Sequence, residues 1–482
     1  HATLNGRGIR RGAPTIMRFL TLGKLQRGTF LTWLASFILF GCISTFAQSG
    51  PPTTAECRVE AVNYKGWQAQ KLSNRWVQLI VIPQNGGRLI QVTFGGHDYL
   101  FVNPKFAGKY LPPSSSQWFN YGGDKIWLLP EGNNDEQHWV GNSDILDDGP
   151  FTFRKLSEGE SCEIELTGPA DPQTGVQFVR RIHLDADSPR IGFHVSMKNM
   201  SGHSLEWSMQ SVSQYDTSTS DASGQHRNPD FWTFTPVNPS SSYLLRYHVR
   251  YGPAENQAVS LRDDGLFTVH YAHMASELWL DSVEGWLAVV DGKSQYAMVE
   301  RFQYQENARY PGKASVIFWM NGPGMRLNSD GNPSMSADPD SSPYYLEAEL
   351  NSPLCRLRPG ESCSFETEWF PTRSGNEFHG VSDAGIVIRP ARATALENGT
   401  IKLSGAFGAF YPGHVIAHFY DEHGAPLGTA PVAQVSPTEA LSLDTEVTPP
   451  GKCTRLSIHL VDEAGLDRGA LQEIQVGGPD NR

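Results

Sequence analysis

Phe178-Val179-Arg180-Arg181-Ile182-His183-Leu184, Asp185-Ala186-Asp187-Ser188-Pro189 and Arg190-Ile191-Gly192-Phe193-His194-Val195-Ser196-Met197-Lys198 form one continuous stretch, and it decides the fold class. In its second arm Ile191, Phe193, Val195 and Met197 share one face, and Gly192, His194, Ser196 and Lys198 share the other, because strand side chains alternate with a period of two. The Asp- and Pro-containing link between the arms is turn chemistry. A strand with one apolar face belongs to an antiparallel sheet packed on one side, the pattern of β-sandwiches. The same grammar extends outward in both directions. Trp76–Ile82 and Arg88–Phe94 are strand-like, Gly95-Gly96-His97-Asp98 reverses the chain, and Tyr99–Val102 returns. Trp286–Val290 turns through Asp291-Gly292-Lys293 into Tyr296–Glu300, and Tyr344–Leu350 leads into Leu354–Trp369. No window of a dozen residues carries apolar side chains at i, i+3, i+4 and i+7, so amphipathic helices are not expected.

The expectation is an all-β chain. A large two-sheet antiparallel β-sandwich spans 48–372, a link spans 373–384, where Thr372-Arg373-Ser374-Gly375-Asn376 interrupts the strand pattern, and a small immunoglobulin-like β-sandwich spans 385–482. Residues 212–242, rich in Ser, Thr, Asp, Asn and Pro, and residues 321–343, rich in Gly, Asn, Ser and Asp, read as long loops. Asn328-Ser329-Asp330-Gly331-Asn332 reads as a plain turn, since it lacks the later bidentate Glu of a calcium loop.

Residues 1–47 read as an export signal with an upstream extension. From Met17 a basic part (Arg18, Lys24, Arg27) precedes an apolar run from Phe30 to Phe46, and Thr45 and Ala47 supply the small residues of a cleavage site. Leu39-Phe40-Gly41-Cys42 offers a second reading, a lipoprotein box with Cys42 as the lipid-bearing residue. A third is an uncleaved anchor, although the run falls short of the ~20 residues that span a bilayer. All three readings imply export, to the periplasm, the medium or the outer surface. No later stretch reaches membrane-spanning length. Residues 1–47 hold six basic side chains and no acid, so the net charge moves from −12 for the whole chain to −18 for 48–482. An acidic surface of that size disfavours nucleic acid and anionic membranes as partners and is neutral toward uncharged sugars. Cys355 and Cys363 flank the turn Arg358-Pro359-Gly360-Glu361. In an oxidising compartment they are placed to form a disulfide across it, and otherwise they are two free thiols on neighbouring strands.

Three further stretches carry a family resemblance. Val81-Ile82-Pro83-Gln84-Asn85-Gly86-Gly87-Arg88-Leu89-Ile90 and Gly95-Gly96-His97-Asp98-Tyr99-Leu100-Phe101-Val102-Asn103-Pro104 resemble the opening hairpins of the galactose-mutarotase-like (aldose 1-epimerase-like) superfamily. Asn120-Tyr121-Gly122-Gly123-Asp124-Lys125-Ile126-Trp127 resembles a bacterial secreted subgroup of it, and the likeness covers roughly 60–372. The resemblance implies a large twisted sandwich of two antiparallel sheets. For activity it implies sugar epimerisation, in which a late Glu acts as base and a His on an earlier strand acts as acid.

Leu346-Glu347-Ala348-Glu349 occupies the strand of that Glu. Glu347 and Glu349 point to one face, and two adjacent carboxyls raise the pKa of one. The matching His position falls at Trp207-Ser208-Met209-Gln210-Ser211, which has no His, and His138, between Glu131 and Trp139, is the substitute. His97, His183, His194 and His203 read as solvated residues. Arg88, Trp118, Asn120, Tyr121, Asp124, Lys125, Trp127, Glu131 and Trp139 are the candidate sugar contacts: aromatic rings pack on sugar C–H faces, and amides, carboxylates and ammonium groups pair with hydroxyls.

Three functions stay open. One is an exported carbohydrate-binding enzyme with a Glu base. The second is a non-catalytic envelope or accessory sugar-binding protein. The third is a polysaccharide lyase recruiting Tyr304, Arg309 and Tyr310. No nucleophile elbow, phosphate-binding Gly loop or metal-ligand spacing is present in the sequence, so no cofactor is expected.

Overall fold

A computed structural model describes residues 56–114, 117–132, 137–141, 144–327, 333–335 and 342–477. Residues 1–47, read above as an export signal, with Cys42 among them, and Asn328–Asn332, read as a turn, lie outside the described residues. Among the described residues no helix is long and apolar enough to cross a membrane.

The chain forms three stacked sheets, the first two antiparallel and the third antiparallel except where Gly385–Ala395 pairs in parallel with Asp467–Gly477. The first sheet runs Arg58–Tyr64, Trp67–Ser73, Val77–Ile82, Arg88–Phe94, Asp124–Leu129, Leu205–Asp216, Tyr345–Asn351, Val316–Met320, Ser276–Leu280 and His248–Tyr251. The second runs Val259–Leu261, Leu266–His270, Phe231–Pro236, Trp286–Asp291, Tyr296–Phe302, Ser362–Arg373, Ile191–Asn199, Val176–Asp185, Ser161–Thr167 and Thr152–Ser157. The third, formed after residue 379, contains Gly385–Ala395, Ile401–Ala409, Gly413–Tyr420, Pro426–Val435, Ala440–Val447, Arg455–Asp462 and Asp467–Gly477.

The hairpin that opened the sequence reading pairs as expected. Ile191 faces Leu184 and Met197 faces Phe178, with Ile191, Phe193, Val195 and Met197 buried and Lys198 exposed. Those side chains meet Met209, Phe318, Leu346, Ala348 and Leu350 of the first sheet in the main core. The middle of the second sheet, Trp286–Asp291 and Tyr296–Phe302, is buried on both faces, which explains the continuous apolar run Trp286–Val290. Leu287, Val289 and Met298 join the main core, while Trp286, Ala288, Val290 and Val299 pack with Phe378, Ile386, Phe407 and Phe419 in a second core. Residues expected as a link take part in it, since Phe378 stacks on Phe234 at 4.3 Å.

The reading of 212–242 as a loop is corrected. Leu205–Asp216 is a central strand of the first sheet, Ser218–Asp221 and Gly224–Arg227 form a small hairpin, and Phe231–Pro236 is a strand of the second sheet. Ser208, Gln210, Ser211, Ser213 and Gln214 of that central strand are buried in hydrogen-bonded positions rather than solvated. Disulfides join Cys355 to Cys363 and Cys57 to Cys162, and Cys453 is the free cysteine among the described residues.

A polar network lies inside the main core. Asp124 pairs with Arg180 across the sandwich and accepts from the hydroxyls of Ser211 (3.2 Å) and Ser213 (3.3 Å), and Tyr215 donates to Glu300. Burial, then the nearby Asp124 charge, pushes the Glu300 carboxyl up to about 8, against the opposing hydrogen bond from Tyr215. Between about 4.5 and about 8 the folded protein therefore holds a proton that the unfolded chain has released, so stability falls as pH rises through that window. Glu300→Gln keeps the shape and removes the titration. The stability difference between variant and parent, read from guanidinium unfolding, should shift in the variant's favour by a few kcal/mol between pH 4.5 and pH 8. A difference that does not move with pH contradicts this account.

Candidate functional site on the outer face of the first sheet

Register decides which side chains meet. Directly opposed residues in an antiparallel pair point to the same face. Gln210 lies between Trp127 and Asn351, Val212 between Lys125 and Glu349, and Gln214 opposite Glu347. On the next strands Glu349 faces Ile317 and Glu347 faces Trp319, which in turn faces Glu277. Alternation sends Leu346, Ala348 and Leu350 into the main core, and Glu347, Glu349, Gln210, Gln214, Lys125, Trp127 and Trp319 to the outer face.

There they form a polar patch that is almost withdrawn from water: Lys125 is 1 %, Glu347 5 % and Glu349 6 % exposed. The Lys125 ammonium lies 3.4 Å from Glu347 Oε1 and 4.5 Å from the centre of the Trp127 ring. Gln214 Nε2 donates to Glu347 Oε1 at 2.6 Å, and Gln210 Nε2 donates to Glu349 Oε2. Burial first, and then the neighbouring Glu347, Glu277 and Glu131 carboxylates, push Glu349 well above the ordinary carboxylate range, with Lys125 acting in the opposite sense. The carbonyl oxygens of Gln210 and Gln214 are buried without a donor among the described residues, which is costly unless a donor arrives. Exposed Glu131 and half-buried Glu277 carry the patch to solvent.

Trp127 is held from behind. Its Nε1 donates to Asp147 Oδ1 at 2.8 Å, and Arg88 clamps Asp147 at 2.7 Å and Asp148 at 2.9 Å. Both acids sit on the short helix Ile145–Asp148, capped by Asp144, whose carboxyl accepts from Leu146 N and Asp147 N. Burial raises Asp144 to about 6, against a hydrogen bond from Trp139. Backbone crowding explains the glycines around this clamp. Gly86 has φ +67° and a Cβ there would fall 1.8 Å from Asp147 O, while Gly122 has φ +91° and a Cβ would fall 2.0 Å from Phe101 O.

The structure divides the sequence candidates. It brings Glu347, Glu349, Lys125 and Trp127 together and puts Glu131 at their rim. Asp124 is corrected: it lies on the opposite face of the same strand, inside the sandwich against Arg180. Tyr121 and Trp139 are also corrected, being fully buried rather than presented to a ligand. Tyr121 packs on Trp67 and accepts from Leu111 N, and Trp139 packs edge-on against Trp127 at 5.5 Å. Arg88 is buried beneath the patch as the clamp just described. Asn120 caps Gly122 N at 3.1 Å, and Trp118 is half-buried against the main core. His138 is half-buried beside the bridge between Glu131 and Trp139. The trio raised for a lyase is engaged structurally: Tyr304 stacks on Tyr310 at 5.2 Å, and Arg309 pairs with Glu206.

Gln210, Gln214, Trp319 and Glu277 were missed. Their signal, the register of four strands drawn from distant parts of the chain, is not visible along a sequence.

No family model matches the chain, and no curated protein matches it. Among solved structures it is similar to a galactose mutarotase-like protein from Clostridium acetobutylicum, at 11 % identity over 66 % of this chain and 99 % of that one, with a TM-score of 0.45. It is similar also to a galactose mutarotase-like protein from Lactobacillus casei, at 9 % identity over 62 % and 99 % of the two chains, TM-score 0.41. A TPR-domain containing protein from Parabacteroides distasonis shares 15 % identity over 64 % of this chain, which spans 47 % of that protein, TM-score 0.43.

Proposed function

We propose that the outer face of the first sheet binds a carbohydrate and that Glu349 and Glu347 interconvert its anomers as acid and base. One observation carries this reading. Two carboxyls, one of them driven toward its protonated form, share a buried face with two amide oxygens that lack donors and with indole surface. A sugar ring supplies the missing partners, hydroxyl donors for the amide oxygens and C–H faces for the indoles.

Ring opening needs a proton taken from the anomeric hydroxyl and a proton delivered to the ring oxygen as the C1–O5 bond breaks. Glu347, beside Lys125, takes the first, and Glu349, held as the carboxylic acid, delivers the second. Reclosure on the other face of the aldehyde reverses both transfers, so nothing is consumed. Two carboxyls, one of them pushed toward its protonated form, thereby do what a Glu and a His do in the families the sequence resembles.

A second reading, a sugar-binding protein without catalysis, is favoured by Trp207–Ser211 in the strand Leu205–Asp216, where the resemblance implies a His and the sequence has none. Both readings share the expectation of an exported protein, with which the two disulfides agree.

A monosaccharide and glycan panel titrated into the purified protein tests the binding that both require. Trp127→Ala should weaken the best ligand by about tenfold or more, and Gln210→Leu by up to about tenfold, the worth of one buried hydrogen bond. No ligand in the panel, or an affinity in both variants equal to the parent's, removes the carbohydrate reading.

A further inference from the structure

We infer that the third sheet carries a metal site, built by His418, His459 and Asp467, for a borderline divalent ion such as Zn²⁺. The three ligands come from three neighbouring strands, Gly413–Tyr420, Arg455–Asp462 and Asp467–Gly477. His418 pairs with Ser457 and His459 with Ile416, so the two imidazoles are diagonal neighbours on one face. Their rings stack at 4.4 Å. The register breaks between His459 and Val461, and this bulge sets Asp467 opposite Val461 on the same face. Bulges re-aim side chains in this way beside functional sites. Asp467 Oδ2 then lies 2.9 Å from His459 Nδ1, and one donor atom from each of the three residues falls within 4.8 Å of the other two.

A second observation points to a ligand at the same place. Ser457, opposite His418 and on its face, is 2 % exposed, and its hydroxyl has no partner among the described residues. An ion carrying a water at its open position supplies one. Two imidazoles and one carboxylate suit Zn²⁺ and its transition-metal neighbours, whereas Ca²⁺ and Mg²⁺ take oxygen shells. Three protein ligands leave the fourth tetrahedral position open, as in sites that bind an exchangeable ligand rather than closed structural ones. The ligands rest on strands, which hold their spacing better than loops. The site lies on the third sheet, not on the carboxylate patch of the first, so it stands or falls separately from the function proposed above. The sequence spacing of His418, His459 and Asp467 resembles no metal motif, because the sheet rather than the local chain brings them together.

The test is a calorimetric titration of Zn²⁺ into the metal-free full chain, repeated with His418→Ala, Asp467→Asn and Glu349→Gln, with circular dichroism confirming the fold of each. One saturable equivalent is expected. His418→Ala should weaken it by more than ~100-fold, since loss of an outer-shell partner alone costs ~10–100-fold. Asp467→Asn should weaken it by at least ~10-fold, and Glu349→Gln should leave it unchanged. Co²⁺ in place of Zn²⁺ should give visible absorption that His418→Ala abolishes. Absence of a saturable equivalent in the folded parent, or an affinity that neither His418→Ala nor Asp467→Asn alters, overturns the proposal. So does loss of the site in Glu349→Gln alone.

Discussion

Glu349→Gln should abolish catalysed anomer exchange, lowering its rate by about 10²–10⁴-fold, while sugar affinity stays within a few-fold. The size follows from what the substitution removes. Glutamine preserves the side chain's volume and can still engage the Gln210 amide, so the binding face persists, but it has no proton to deliver to a ring oxygen. In the parent that proton is retained because burial and the Glu347, Glu277 and Glu131 carboxylates oppose its loss. The parent's rate should accordingly fall on the alkaline side, as Glu349 finally ionises, and the variant's residual rate should not follow that limb. Exchange spectroscopy of an equilibrating aldose reads both quantities. If Glu349→Gln turns over like the parent, Glu349 is not the acid. If neither protein accelerates exchange while both bind sugar, the non-catalytic reading holds.

The second large effect concerns stability. Arg88→Leu should cost about 3–5 kcal/mol, the penalty for leaving a buried charge without its partner. Here two carboxylates are stranded, since Arg88 spans Asp147 and Asp148 in a site where all three side chains are at most 1 % exposed. The damage should also reach the proposed binding face, because Asp147 anchors the Trp127 indole. Denaturant unfolding measures the first part, and sugar affinity in the folded fraction measures the second. A substitution costing under about 1 kcal/mol would show that the clamp is no more than an exposed ion pair in energetic terms.

The main sandwich was legible where burial is one-sided. The alternation of Ile191, Phe193, Val195 and Met197 survives folding because one face of their strand meets the core. The strand Tyr345–Asn351 was legible for a related reason, with Leu346, Ala348 and Leu350 inward and the two glutamates on the other face. The central strand Leu205–Asp216 was not. Gln210, Ser211, Ser213 and Gln214 have loop-like composition, yet the serines serve the Asp124 network on one side and the glutamines hold the carboxyls on the other. Local rules fail most readily where polar residues are buried for a purpose.

The aromatic run from Trp118 to Trp139 misled for the opposite reason. Gly122-Gly123 break its strand pattern as though a surface loop followed, but they exist so that the backbone can approach Phe101 and Leu89 closely, and Tyr121 is buried beside them. Pairings between distant segments, Cys57 with Cys162 or His418 with His459, depend on sheet register that a single sequence does not display.

The most direct measurement is a ¹³C NMR titration of the glutamate carboxyls, with and without the best sugar from the binding panel. Two carboxyls should titrate above the ordinary carboxylate range: Glu300 inside the sandwich, lost in Glu300→Gln, and Glu349 on the outer face, lost in Glu349→Gln. The account predicts that sugar shifts the Glu349 resonance and leaves that of Glu300 in place. If the resonance assigned to Glu349 titrates in the ordinary carboxylate range, or does not respond to a sugar that binds, the acid–base pair on this face is not the site.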